Sequence, residues 1–128
     1  MTPEFRDCVT KSKAAMEAKK QEDLPAVLAC LTAEVKRQEA RMSNAVGRVA
    51  KSVSAAEKTA LDAANTAWRR FRDANCAFLA DPKTPMPAPL EHTDCLLGMT
   101  VNRALEMDQL SQVAARRNLL RATATEKK

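Results

Sequence analysis

Between Ala67 and Cys76 the chain reads Ala-Trp-Arg-Arg-Phe-Arg-Asp-Ala-Asn-Cys, joining the only tryptophan to a phenylalanine, an arginine–aspartate pair and a cysteine. Trp68, Phe71, Asn75 and Phe78 follow i, i+3, i+7 spacing and fall on one side of a helix, while Arg72 and Cys76 form a neighbouring i, i+4 stripe. The segment therefore ties a helical core to a covalent clamp. Two glycines, three phenylalanines and no tyrosine in 128 residues leave little from which to build a sheet, whereas Ala, Leu, Lys, Arg and Glu favour helix. The expected fold is all-α, an antiparallel bundle of three to four helices stapled by two disulfides. One domain is expected over residues 1–110, followed by a basic C-terminal extension over 111–128, partly helical or disordered.

Cys8, Cys30, Cys76 and Cys95 are far apart and include no C-x-x-C, which argues against a zinc site; no metal or cofactor is expected. An even count in a short chain fits two disulfides, and three connectivities are open. We favour Cys8 with Cys30 and Cys76 with Cys95, each closing a loop of roughly 20 residues and contributing on the order of 3 kcal/mol. The alternative is four reduced, buried thiols in a cytosolic bundle. Disulfides require an oxidising compartment, yet Met1-Thr2-Pro3-Glu4-Phe5 begins no apolar export signal. The expected resolution is a mature form whose methionine stands in place of a removed signal. No apolar stretch approaches the roughly 20 residues of a membrane span.

A net charge of +5 suggests nucleic acid until its distribution is considered. Residues 1–108 hold sixteen Lys/Arg against fifteen Asp/Glu, and the excess lies in Arg116, Arg117, Arg121, Lys127 and Lys128. A solvated tail is the expectation, not a nucleic-acid surface.

The first helix is expected over about residues 4–19, with Phe5, Cys8, Val9, Ser12, Ala15 and Met16 inward. Asp23 with Pro25 opens a second helix, whose inward rhythm of Leu24, Val27, Leu28, Leu31, Val35, Met42, Val46, Val49 and Val53 is broken by polar Gln38. Ser54-Ala55-Ala56-Glu57 is a capping box. It starts a third helix, to about Leu79, that packs through Leu61, Ala64, Trp68, Phe71, Asn75 and Phe78. Pro82, Pro85, Pro87 and Pro89 make the next segment a loop. Thr93 or Asp94 is expected to cap a fourth helix packed through Leu97, Thr100, Val101, Ala104, Met107 and Leu110.

Trp68, in register with Leu61 and Phe71, reads as a core anchor rather than a ligand-stacking platform. Arg72 and Asp73 are adjacent, so partners on other helices are expected in place of a mutual ion pair. His92, the only histidine, stands beside Glu91 and Asp94 with no recognisable nucleophile, so no catalysis is expected. These three residues read first as a solvated acidic turn before a helix.

Ala67-Trp68, Phe71-Arg72-Asp73 and Cys76, followed by Cys95-Leu96, Thr100 and Arg103 in a C-L-x-x-x-T-x-x-R pattern, resemble the lysozyme-inhibitor LprI-like family of small secreted or periplasmic bacterial proteins. Cys8 and Cys30 suit its four-cysteine framework, and the resemblance covers about residues 8–110. It implies a disulfide-stapled envelope protein with Trp68, Arg72, Asp73, Cys76, Cys95, Thr100 and Arg103 as signature positions, most of them structural. The implied function is a non-enzymatic protein-binding module directed at lysozyme or another cell-wall hydrolase. Glu91, His92 and Asp94 are then the candidate contacts, on an acidic, rigid loop offering carboxylates to a cationic cleft. The alternative is a structural, adaptor or toxin-immunity protein of the envelope that uses a broad helix face.

Overall fold

The computed structural model describes residues 1–80, 83 and 87–126, without the side chains of 121–126. It contains four helices, α1 (Pro3–Lys19), α2 (Leu24–Ala50), α3 (Ala55–Leu79) and α4 (Ala88–Glu126), and no strand among the described residues. Most starts are set by their own residues. The Thr2 hydroxyl caps α1 by accepting from the Phe5 amide, with Pro3 in the first turn, and Asp23 caps α2 through the Ala26 amide. At α3 both halves of the Ser54–Glu57 capping box form. Lys20 ends α1 in the left-handed region, at φ 52°.

The start of α4 corrects the expectation of a cap at Thr93 or Asp94. The helix begins at Ala88, with the Pro87 carbonyl accepting from the amides of Leu90 and Glu91. Proline discourages helix before itself, not after, and in a first turn its missing N–H has no partner to lose. Pro89 therefore belongs to the helix, and its carbonyl accepts from the Thr93 hydroxyl. Pro82 and Pro85 lie outside the described residues. Helix α4 runs on through Arg116 and Arg117 to Glu126, while Lys127 and Lys128 are outside the description.

The long helices α2 and α4 form the central pair, with α1 laid on α2 and α3 on α4. Met42 and Ala45 of α2 meet Ala104 and Met107 of α4, and Val46, Leu61 and Trp68 close around them. Leu97 and Thr100 are fully buried on the same side of α4, as expected, whereas Leu110 is exposed.

Three other faces differ from expectation. On α1 the inward line is Phe5, Cys8, Ser12 and Met16, with Val9 and Ala15 in water. On α2 Leu24 is exposed, and Glu34 and Gln38 are buried within the apolar stripe. On α3 the inward line runs through Leu61, Asn65, Trp68, Arg72 and Cys76, leaving Ala64 exposed, Phe71 62% exposed and Phe78 81% exposed. At 100° per residue Phe71 and Phe78 stand about 100° from that line. The turn that carries Cys76 toward α4 puts both rings outside.

The cost of burying Glu34 is offset because its carboxylate is saturated. It accepts from the Thr2 amide at 2.7 Å, the Thr2 hydroxyl at 2.6 Å, Arg37 Nε at 2.7 Å and Gln38 Nε2 at 3.3 Å. Burial alone raises a carboxyl pKa, but the bonds from Thr2, Arg37 and Gln38 prevail and hold Glu34 at about 2 against an ordinary 4.5. A carboxyl depressed on folding contributes its full stability above the unfolded value and loses it as pH falls toward the folded one. Acid unfolding followed by circular dichroism will show stability falling between about pH 4.5 and pH 2. Glu34→Gln will flatten that fall and cost about 2 kcal/mol at neutral pH, the usual size of hydrogen bonds to a charged group.

Candidate functional site: the stapled α3–α4 joint

Two disulfides join the cysteines in the favoured order, Cys8 with Cys30 and Cys76 with Cys95. The first fastens α1 to α2, where Ser12 Oγ also lies 3.6 Å from Cys30 Sγ. The second fastens the last turns of α3 to the first turns of α4, closing the proline-rich connection at both ends.

Below this staple the signature side chains converge on Arg72, which is 7% exposed. Its Nη1 donates to Glu39 Oε1 of α2 at 2.7 Å and to Thr100 Oγ1 of α4 at 3.2 Å, so one guanidinium ties three helices. Its Nε donates to Asp73 Oδ1 at 2.9 Å, correcting the expectation that the adjacent pair would not meet. Neighbouring Cα–Cβ bonds diverge by 100°, but arginine is long enough to lie along the helix and present Nε to the flanking carboxylate. Burial disfavours the charge on Arg72; the bonds and charges of Glu39 and Asp73 outweigh it and raise its pKa above the ordinary arginine range.

Trp68 is the platform under this network. The Arg72 guanidinium carbon lies 5.2 Å from its ring centroid and that of Arg103 5.9 Å, both within cation–π range. Arg103 donates from Nε and Nη2 to Asn65 Oδ1 at 3.2 and 2.8 Å, and from Nη1 to Glu106 at 2.8 Å. Trp68, Arg72, Asp73, Cys76, Cys95, Thr100 and Arg103, scattered over 36 positions of sequence, thus form one joint, with Asp73 on its exposed rim; Phe71 faces water outside it.

Glu39 and Asn65 belong to the joint, although neither is among the site residues expected from the sequence. Asn65 carried a signal, since it lies one turn before Trp68 and two before Arg72. Glu39 carried none, being one of two carboxylates on α2 with nothing to tell its partner.

Glu91, His92 and Asp94 occupy the first two turns of α4, not a turn ahead of it. Glu91 and His92 are half-buried and Asp94 is exposed, immediately beside the Cys95 bridge. At the opposite end, a mostly apolar groove of about 160 Å³ is lined by Val49, Val53, Leu61, Leu110 and Val113. Among the described residues no cluster of three His, Cys, Asp or Glu side chains could hold a metal ion, and no helix is long and apolar enough to cross a membrane.

A stapled helical joint whose polar groups are consumed in holding helices together defines a rigid scaffold. The chain belongs to the family described as lysozyme inhibitor LprI, whose model matches residues 6–107. Neither curated proteins nor solved structures gave a match. The matched span holds all four cysteines and the whole joint; the last turns of α4 lie beyond it. The family is one of inhibitors, non-enzymatic in general, which act on a protein partner and belong to oxidising compartments outside the cytoplasm.

Proposed function

We propose that the chain is a periplasmic or secreted inhibitor of lysozyme or a related cell-wall hydrolase, and that it binds its target through the α3–α4 tip. Family membership supports the class of partner. The observation that carries the choice of surface is the coincidence of rigidity and charge at that tip. The Cys76–Cys95 bridge and the Arg72 network hold the two helix ends, and Glu91 and Asp94 stand in the adjoining turns. A preorganised tip loses little entropy on docking, and carboxylates on it complement the arginines of a cationic cleft. Catalysis is no part of this role, in keeping with a family of inhibitors that are non-enzymatic in general.

The test is the clearing of a suspension of bacterial cell walls by lysozyme with the protein added. Inhibition saturating near one protein per enzyme is expected, and Glu91→Ala with Asp94→Ala will weaken it about tenfold, the loss of roughly 1.4 kcal/mol. Undiminished affinity in the double variant would remove the tip from the interface. A structural, adaptor or toxin-immunity role through a broad helix face has one observation in its favour, the exposed rings of Phe71 and Phe78. It predicts no effect on wall lysis.

A further inference from the structure

The exposed side of α3 is apolar over most of its length. Ala60, Ala63, Ala64, Ala67, Phe71, Ala74, Ala77 and Phe78 are all exposed and form an apolar strip bordered on one edge by Arg70, with Asp62 and Asp73 exposed beyond it. Residues 60, 64, 67, 71, 74 and 78 are spaced four, three, four, three, four, the alternation of a helix-pairing seam. Bulk is divided along it, with alanines in the N-terminal half and both phenylalanines in the C-terminal half.

That division makes the face its own complement. When two copies of α3 lie antiparallel about a two-fold axis at residue 69, Phe71 falls opposite Ala67, Phe78 opposite Ala60 and Ala74 opposite Ala64. Each ring meets a methyl group, the Ala74–Ala64 layer sets methyl against methyl, and no layer sets ring against ring. A two-fold pairing repeats each contact twice.

The area fits a second copy as well. With about 200 Å² available to each phenylalanine, the exposed fractions leave roughly 300 Å² of ring per copy, which six alanines extend to roughly 500 Å². That is toward the upper end of the roughly 300–600 Å² apolar patches of monomers, and a pair burying all of it covers about 1,000 Å² in total, the lower limit for a specific interface. We infer that the outer face of α3 pairs with the same face of a second copy, giving a weak antiparallel dimer. The two Arg70 side chains come together on the rim near the axis, where their repulsion is screened by salt.

Sedimentation equilibrium of the oxidised protein, from about 1 µM to 1 mM, tests this. The expected result is a 14.0 kDa monomer in equilibrium with its dimer, with a dissociation constant on the order of tens of micromolar for so small an interface and tighter association at higher salt. Ala67→Phe is the decisive variant, since it adds apolar surface yet sets ring against ring, so it will weaken the dimer at least tenfold. Combining it with Phe71→Ala, which exchanges the large and small partners across the axis, will restore the dimer to within threefold. All the altered side chains are exposed, so an unchanged melting temperature verifies each fold. A monomer at 1 mM overturns the inference, as does tighter association of Ala67→Phe, which marks non-specific adhesion. A persistently monomeric protein whose inhibition of lysozyme is lost in Phe71→Ala would give the face to the hydrolase instead, and also overturns it. The inference does not rest on the proposed inhibitory tip, and loss of wall-lysis inhibition in Glu91→Ala/Asp94→Ala leaves it untouched.

Discussion

Arg72→Ala will lower unfolding free energy by about 4 kcal/mol, the range for removing one partner from a buried charged network, and the melting temperature by roughly 15 °C. Three losses combine. Thr100, with no exposed surface, loses the donor that satisfies its hydroxyl, α3 loses the shorter of its two bonds to Glu39 on α2, leaving that from Arg69 at 3.4 Å, and the face of Trp68 loses the nearer of its two cations. Arg72→Lys will recover less than half, because an ammonium cannot lie flat on the indole while reaching Glu39, Asp73 and Thr100 together. Asp73→Ala will cost under about 1 kcal/mol, since that carboxylate is 61% exposed and its pairing is shared with water. Thermal unfolding of the three variants checks the ranking. Equal losses in Arg72→Ala and Asp73→Ala would show that the network is not centred on the arginine.

Replacing Cys76 and Cys95 by serine together will cost about 3 kcal/mol, the loop-entropy value for a span of this length. Replacing Cys8 and Cys30 will cost a similar amount, because the two bridges span 19 and 22 positions. Their effects on binding will differ. Loss of the Cys76–Cys95 bridge frees the ends of α3 and α4 and will weaken inhibition of wall lysis several-fold, whereas loss of the Cys8–Cys30 bridge loosens α1 on the far side of α2 and will leave inhibition unchanged. Melting curves and the clearing assay on the two double variants separate stability from binding. Equal loss of inhibition in both would mean that global stability, not the tip, governs it.

Two helix starts were legible in the residues themselves. Asp23 and Ser54 cap where their side chains were expected to reach, and the cysteine order fitted a hairpin arrangement, whereas the Thr2 cap of α1 was not singled out. Face assignment was legible only to within a rotation. Around α3 two stripes about 100° apart compete, one through Trp68, Arg72 and Cys76 and the other through Phe71 and Phe78, and hydrophobicity alone prefers the second. The first prevails because Cys76 must reach Cys95 and because Arg72 finds Glu39 and Thr100, 33 and 28 positions away. Burial of Glu34 was illegible for the same reason, as its carboxylate depends on Thr2, 32 positions earlier. A buried polar residue is recognisable only with its partners, and here those partners lie on other helices. The proline cluster misled in the opposite sense, since its last member stands where a helix can begin.

Each bridge joins a short flanking helix to the long helix that follows it, and none crosses between α2 and α4. A chain threaded N-terminus first into an oxidising space exposes Cys8 and Cys30 before the second couple emerges, so the first pair can close with no competing thiol present. The correct pairing is then the order of arrival, and oxidation needs no later reshuffling. What remains is the docking of two covalently closed hairpins along one aliphatic seam.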